Sequence, residues 1–118
     1  NKGMARVKRG VMHSKRRRNL LAQTKGYMWG RKSKIKLAKV AVLKAGQNAY
    51  RDRRLKKRDM RALWSLRINA AARENGMKYS TLIDAMHKAG IVLDRKIMSE
   101  LAAKHPTVFA EVVKAAKK

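Results

Sequence analysis

Residues 34–75 read KIKLAKVAVLKAGQNAYRDRRLKKRDMRALWSLRINAAAREN, and this stretch decides the fold. It contains no proline and one glycine, Gly46, and its apolar residues recur at helical spacing through Met60, Leu63, Trp64, Ile68, Ala71 and Ala72. Ser33 is a candidate N-cap, and Asn75-Gly76 is a C-terminal stop. A single helix of about 42 residues would be about 63 Å long. A compact chain of 118 residues has a radius of gyration of only about 13 Å. The helix is therefore expected to leave the globule rather than to kink at Gly46.

Beyond Gly76 the signals are those of short packed helices. Ser80 can cap a helix carrying Leu82, Ile83 and Met86 that stops at Gly90. Asp94 can cap a second, carrying Ile97, Met98 and Leu101, which must end by His105 because Pro106 follows. Pro106 suits the first turn of a third, carrying Phe109, Val112, Val113 and Ala116. Ile91-Val92-Leu93 reads as core-filling linker, and Trp64 with Leu63 and Ile68 as core. Toward the N-terminus, residues 1–10 read as an irregular basic arm and Val11–Lys25 as a helix with Leu20 and Leu21 as its close apolar pair. Gly26 and Gly30 then bracket Tyr27-Met28-Trp29 in a break. The expected fold class is all-α: a long basic helical N-terminal extension, residues 1–60, and a small globular helical C-terminal domain, residues 61–118. A domain of that size is marginal by itself.

Charge separates the two parts. The chain carries 32 Lys plus Arg against 7 Asp plus Glu, a formal charge of +25. Residues 1–60 hold 21 of the cations and 2 of the acids, and residues 61–118 hold 11 and 5. Such a field repels itself and binds any polyanion it meets. The 45% of hydrophobic residues and the single proline argue against a disordered basic tail and for helix. With no cysteine, disulfides, thiol catalysis and cysteine zinc sites are excluded. No apolar run approaches the roughly 18 residues of a membrane span, and the start lacks the apolar region of a signal peptide. These features point to a cytoplasmic setting, no membrane and no small-molecule substrate.

Catalytic groups are scarce. Of the acids, Asp52 and Asp59 sit in the most basic run, seven residues apart on one helical face. A metal site there is conceivable, but pairing with arginines three or four residues away is the expected arrangement in so positive a surrounding. Glu74, Asp84, Asp94, Glu100 and Glu111 fall at caps or on exposed faces, and His13, His87 and His105 show no ligand spacing. Gly26 and Gly30 lack the Gly-Lys-Ser/Thr of a phosphate loop. No cofactor and no enzymatic activity are expected.

The basic runs carry more information. Arg51 through Arg61, with Arg53, Arg54, Lys57 and Arg58 between, lie within the expected helix, so their charges point to all sides of its axis. A solvated helix face would show charge on one side and mixed sign. Charge on all sides fits a helix threaded between phosphates, and the excess of arginine suits bidentate phosphate contacts. Lys15-Arg16-Arg17-Arg18 is the second dense run, and Arg6, Lys8 and Arg9 in the arm and Lys25, Arg31, Lys32 and Lys34 around the break complete the candidate contacts. Tyr27 and Trp29 either form a small satellite core or stack on splayed bases, with Gly26 and Gly30 allowing close backbone approach. Leu37, Val40, Ala41, Val42 and Leu43 make an apolar stripe that needs a cover.

Several runs together resemble a known family. Tyr50-Arg51-Asp52-Arg53-Arg54, Lys57-Arg58, Arg61, Leu63-Trp64 and Arg67-Ile68-Asn69-Ala70-Ala71-Ala72-Arg73 are similar to the signature of the L-twenty family of bacterial large-subunit ribosomal proteins. Ala5-Arg6-Val7-Lys8-Arg9-Gly10, Lys25-Gly26-Tyr27 with Gly30, Lys44-Ala45-Gly46-Gln47, Tyr79-Ser80, Asp94-Arg95-Lys96 and Phe109 agree with it. The likeness runs from about residue 4 to the end, with Asn1-Lys2-Gly3 ahead of Met4, where the family's start would fall. Met28-Trp29 replaces the family's usual tyrosine- or phenylalanine-rich pair, and His105 stands where an acidic cap often precedes the proline. The resemblance implies an extension buried in large-subunit ribosomal RNA, a helical domain on the RNA surface and a role early in subunit assembly. It also implies neighbouring ribosomal proteins as partners and, in some bacteria, repression of the protein's own message. The rival reading is a nucleoid-type DNA-compacting protein. A membrane-active peptide is disfavoured, because basic residues encircling the helix leave no clean apolar face.

Overall fold

In the computed structural model, which describes residues 3–118, the described chain forms five helices and no strand. They are α1 (Arg9–Gln23), α2 (Ile35–Glu74), α3 (Tyr79–Ala89), α4 (Arg95–Lys104) and α5 (Pro106–Lys117). Asn1 and Lys2, the first residues of the expected arm, lie outside the described residues. Backbone contacts group the chain into two units, one ending at Arg53 and one spanning Arg54–Lys118.

The stretch that decides the fold is one uninterrupted helix, α2, and Gly46 does not break it. Ser33 is not its cap. The Gly30 carbonyl accepts from the Lys34 N–H at 2.9 Å, a turn that feeds directly into the helix, and the Lys34 carbonyl accepts from Ala38 N–H at 2.8 Å. The far end closes as expected at Asn75-Gly76. Gly76, at φ +80, donates to the Arg73 carbonyl at 3.1 Å, and Met77 donates to the Ala72 carbonyl at 2.8 Å. This pair of bonds satisfies carbonyls that the helix end leaves open and turns Met77 back onto the core beside Ala72. α3 closes the same way, with Gly90 at φ +71 donating to His87 and Ile91 donating to Met86.

The starts of the short helices differ in one respect. Asp94 caps α4 by accepting the Ile97 N–H at 2.8 Å, as its position predicts. Ser80 does not cap α3; it lies inside the helix. The Asn69 side chain on α2 instead accepts the first helical N–H, that of Tyr79, at 3.2 Å. Thr81 Oγ1 accepts the Lys78 N–H at 3.0 Å and donates to the Lys78 carbonyl at 2.8 Å. His105 supplies no side-chain cap to α5, but its carbonyl accepts from Phe109, and Pro106 occupies the first turn, where no N–H is needed.

In the second unit Ile68 and Ala72 of α2, Leu82 and Met86 of α3, Met98 of α4, and Phe109, Val113 and Ala116 of α5 form one buried cluster. α5 packs against both α3 and α4. Three expectations need correction. Trp64 is only half-buried, because the positions of α2 buried in this unit begin one turn later at Ile68. Ile97 is 44% exposed, and its place inside α4 is taken by Ser99, whose hydroxyl donates to the Lys96 carbonyl at 2.8 Å. Of the Ile91–Leu93 linker only Ile91 packs on the core, while Val92 is 95% exposed.

The first unit buries little. α1 begins at Arg9, taking Gly10 into its first turn, and has no buried residue. Thr24, which ends α1, and Ala38 are its fully buried residues, with Leu20, Leu21, Tyr27, Ile35, Ala41 and Val42 half-buried.

Phe109→Ala removes the largest fully buried side chain and should cost about 3–5 kcal/mol, enough to abolish a cooperative thermal transition in so small a core. Val108→Ala, at a position 47% exposed, should change stability by less than about 0.5 kcal/mol in the same measurement.

Candidate nucleic-acid interface

Helix geometry spreads consecutive side chains around an axis, and normally one stripe of them is buried. α2 departs from this over its middle. Every residue from Leu43 to Ala62 is exposed, on all sides of the helix and across more than five turns. Within it stand Arg51, Arg53, Arg54, Lys56, Lys57, Arg58 and Arg61 with only Asp52 and Asp59 as counter-charges. Asp52 pairs with its immediate neighbour Arg51, whose Nε lies 3.1 Å from the carboxylate, and not with an arginine one turn away. Three and four residues from Asp52, at Asn48, Ala49, Leu55 and Lys56, there is no arginine. No salt bridge among the described residues involves Asp59; the others join Lys88 to Asp84 at 2.8 Å and Lys114 to Glu111 at 3.4 Å, both in the second unit. All are exposed and contribute little to stability.

The remaining candidate contacts are placed by α1 and the loop after it. Arg6 and Lys8 precede α1, Arg9 begins it, and Lys15, Arg16, Arg17 and Arg18 follow one another around it, all exposed. Lys15 and Arg16 line one open groove with Lys39 of α2; Arg17, Arg18, Lys25 and Lys32 line another. Arg31 and Lys34 are exposed on the loop. Tyr27 is half-buried, and Trp29 is 83% exposed. The pair therefore do not form a joint satellite core.

The second unit adds a cationic feature that sequence reasoning missed. Tyr79 Oη accepts from Arg95 Nε at 2.8 Å and, at 3.5 Å, from Ser65 Oγ, joining α2, α3 and α4. Burial pushes the phenol pKa up, but the hydrogen bonds from Ser65 and Arg95 and the positive charges of Arg95 and Arg61 outweigh it, and the net shift is downward from 10.0. Arg61 and Arg95 thus act on the same phenol from different helices. Arg95 stood in a quoted motif, Asp94-Arg95-Lys96, but nothing in the local pattern brings it near Arg61.

No three His, Asp or Glu side chains converge to hold a metal among the described residues. No described helix is long and apolar enough to cross a membrane.

The class defined by this fold and surface is that of small, strongly basic, all-helical proteins whose cations lie outside the hydrophobic core. The sequence matches the family described as Ribosomal protein L20 over residues 6–112. It is 53% identical over 113 residues to the large ribosomal subunit protein bL20 of Roseiflexus castenholzii (strain DSM 13941 / HLO8), covering 96% of this chain and 97% of the relative. It is 53% identical over 114 residues to the protein of the same name from Roseiflexus sp. (strain RS-1), covering 97% of each. The chain belongs to the ribosomal protein L20 family; it is a ribosomal protein and not an enzyme.

The lowered pKa of Tyr79 gives a pH dependence with a definite sign. The group favours its ionised form when folded, so the linked stability is fully present above the usual value of about 10 and is lost as pH falls through the folded value. Ring-carbon NMR should show Tyr79 deprotonating at lower pH than an ordinary phenol. In Arg95→Met, which removes a hydrogen bond and a positive charge together, the transition should move upward.

Proposed function

We propose that the chain is a structural constituent of the large ribosomal subunit that binds large-subunit ribosomal RNA through its basic first half and promotes early assembly of the subunit. The observation that carries this reading is the middle of α2, exposed on every side and positive on nearly every side. In water such a helix repels itself and buries nothing. Surrounded by phosphates it gains an ion-pair partner in each direction, and the RNA segments it separates lose their mutual repulsion. α1 supports the same reading, since its helix buries no residue of its own and carries four consecutive cations. The second unit, with its own core and the cations Arg61 and Arg95, is suited to dock on a folded RNA junction. Repression of its own synthesis would follow if a similar fold in its own message competed for that unit. The apolar stripe Leu37, Val40 and Leu43, 46%, 65% and 75% exposed, is suited to contact with a neighbouring ribosomal protein.

Binding by phosphate neutralisation releases counterions, so log affinity falls with log salt by about 0.7–0.9 per phosphate engaged. Arg53→Ala with Arg58→Ala should weaken binding to a large-subunit ribosomal RNA transcript and shallow that slope by about 1.4–1.8, with the melting transition of the second unit unchanged. Folded ribosomal RNA should displace the bound transcript better than duplex DNA at matched salt; equal displacement would favour a DNA-compacting protein and overturn the proposal. In the full chain, amide hydrogen exchange of α1 should be fast without RNA and slow with it, while the core amides of α3 and α5 stay protected in both states.

A further inference from the structure

The loop between α1 and α2 holds an aromatic side chain that the fold leaves exposed. Trp29 is the non-glycine residue with a positive φ, +68, among the described residues. A side chain there crowds the backbone, and bulky residues avoid it. A residue held in such a conformation is over-determined by its surroundings. Here the loop is pinned on both sides: Tyr27 N–H donates to the Thr24 carbonyl at 3.1 Å, Arg31 to Met28 at 3.4 Å, and Lys34 to Gly30 at 2.9 Å. Thr24 is wholly buried and anchors its hydroxyl on Leu21. Yet the indole held by this strained backbone is 83% exposed.

What surrounds it narrows the occupant. Trp29 lines a concavity of about 430 Å³ with Gly26, Tyr27, Met28 and Lys32, within the range of about 300–1,000 Å³ typical of small-ligand sites. Nothing lies within 4 Å of where a side chain at Gly26 would begin, so the floor is open to a close approach. Lys32 lines it, Lys25, Arg31 and Lys34 belong to the same short segment, and residues 24–34 contain no acid. An apolar protein side chain seated there would bring no charge to meet these cations. A nucleotide brings a flat ring for the indole and a phosphate for the lysines. A base inside a duplex already has both faces stacked, so only an unpaired or extruded one can offer a face.

We propose that Trp29, presented by the strained loop between Gly26 and Gly30, is a stacking platform for one unpaired RNA base, with Lys32 at the mouth of the site for the adjoining phosphate. The proposal deepens the RNA-binding reading above and rests on it. Stacking of this kind is tolerant of base identity, and losing it typically costs about 5- to 150-fold in affinity.

The test uses the full chain with two probes, a single-stranded oligouridylate and an abasic ribose-phosphate oligomer of equal length. Trp29→Gly keeps the positive φ, which glycine adopts freely, and removes only the ring. It should bind oligouridylate about 5- to 150-fold more weakly than the parent and the abasic oligomer equally well, whereas Trp29→Phe should retain most of the affinity. Equal binding of oligouridylate by parent and Trp29→Gly overturns the platform, as does a lowered melting temperature in Trp29→Gly, which would make the indole a structural prop. Salt-sensitive binding of the parent to large-subunit ribosomal RNA is measured alongside. If that survives while Trp29→Gly has no effect, the platform alone fails; if that is absent, the RNA-binding reading has failed.

Discussion

Uncompensated positive charge on a stretch of helix that buries none of its faces is the constraint on which this protein depends. A helix in water is stabilised chiefly by the stripe it packs against something else. From Leu43 to Ala62 that stripe does not exist within the chain. The charges there are mostly arginine, whose planar fork makes two parallel bonds to a phosphate and never loses its proton. Membership of the ribosomal protein L20 family is consistent with that requirement: the missing face of the helix is a surface that a phosphate polymer can supply.

The second unit answers a different problem. A segment of about 60 residues buries only about 60% of the surface its unfolded chain exposes and has little stability to spare. Its core is correspondingly economical, one aromatic ring, Phe109, set among Ile68, Leu82, Met98 and Val113, and the polar connections around it tie the elements together. Asn69 ties α2 to the start of α3, and Tyr79 collects donors from α2 and α4. Lys117 reaches from α5 to the Asn75 carbonyl at 3.1 Å, meeting one of the acceptors at the end of α2. No buried side-chain polar atom among the described residues lacks a partner, which matters more in a thin core than the gain from any one bond.

The loop carrying Trp29 shows how strain and exposure inform each other. Its left-handed glycines are ordinary, since Gly26 and Gly30 adopt φ near +85 and +88 without a steric cost. A tryptophan between them is not, and its exposure removes the usual explanation that burial repays the backbone.

Much of this was legible in order along the chain. The length of α2, the stop at Asn75-Gly76, the cap at Asp94 and the turn at Pro106 follow from local chemistry: propensity, a left-handed glycine, a short acceptor, a missing N–H. The family signature was legible for the same reason, since it is written in adjacent residues. Long-range contacts were not. Asn69 displaces Ser80 as the cap of α3, Trp64 sits one turn short of the core, and Arg95 meets Tyr79 beside Ser65, because each depends on which residues a neighbouring helix brings alongside. The sequence by itself determined the helices, their breaks and the imbalance of charge. Only the tertiary structure decided which faces are bare and which side chains meet, because a hydrogen bond or a buried ring requires two elements to arrive at the same place and no single stretch of chain encodes that arrival.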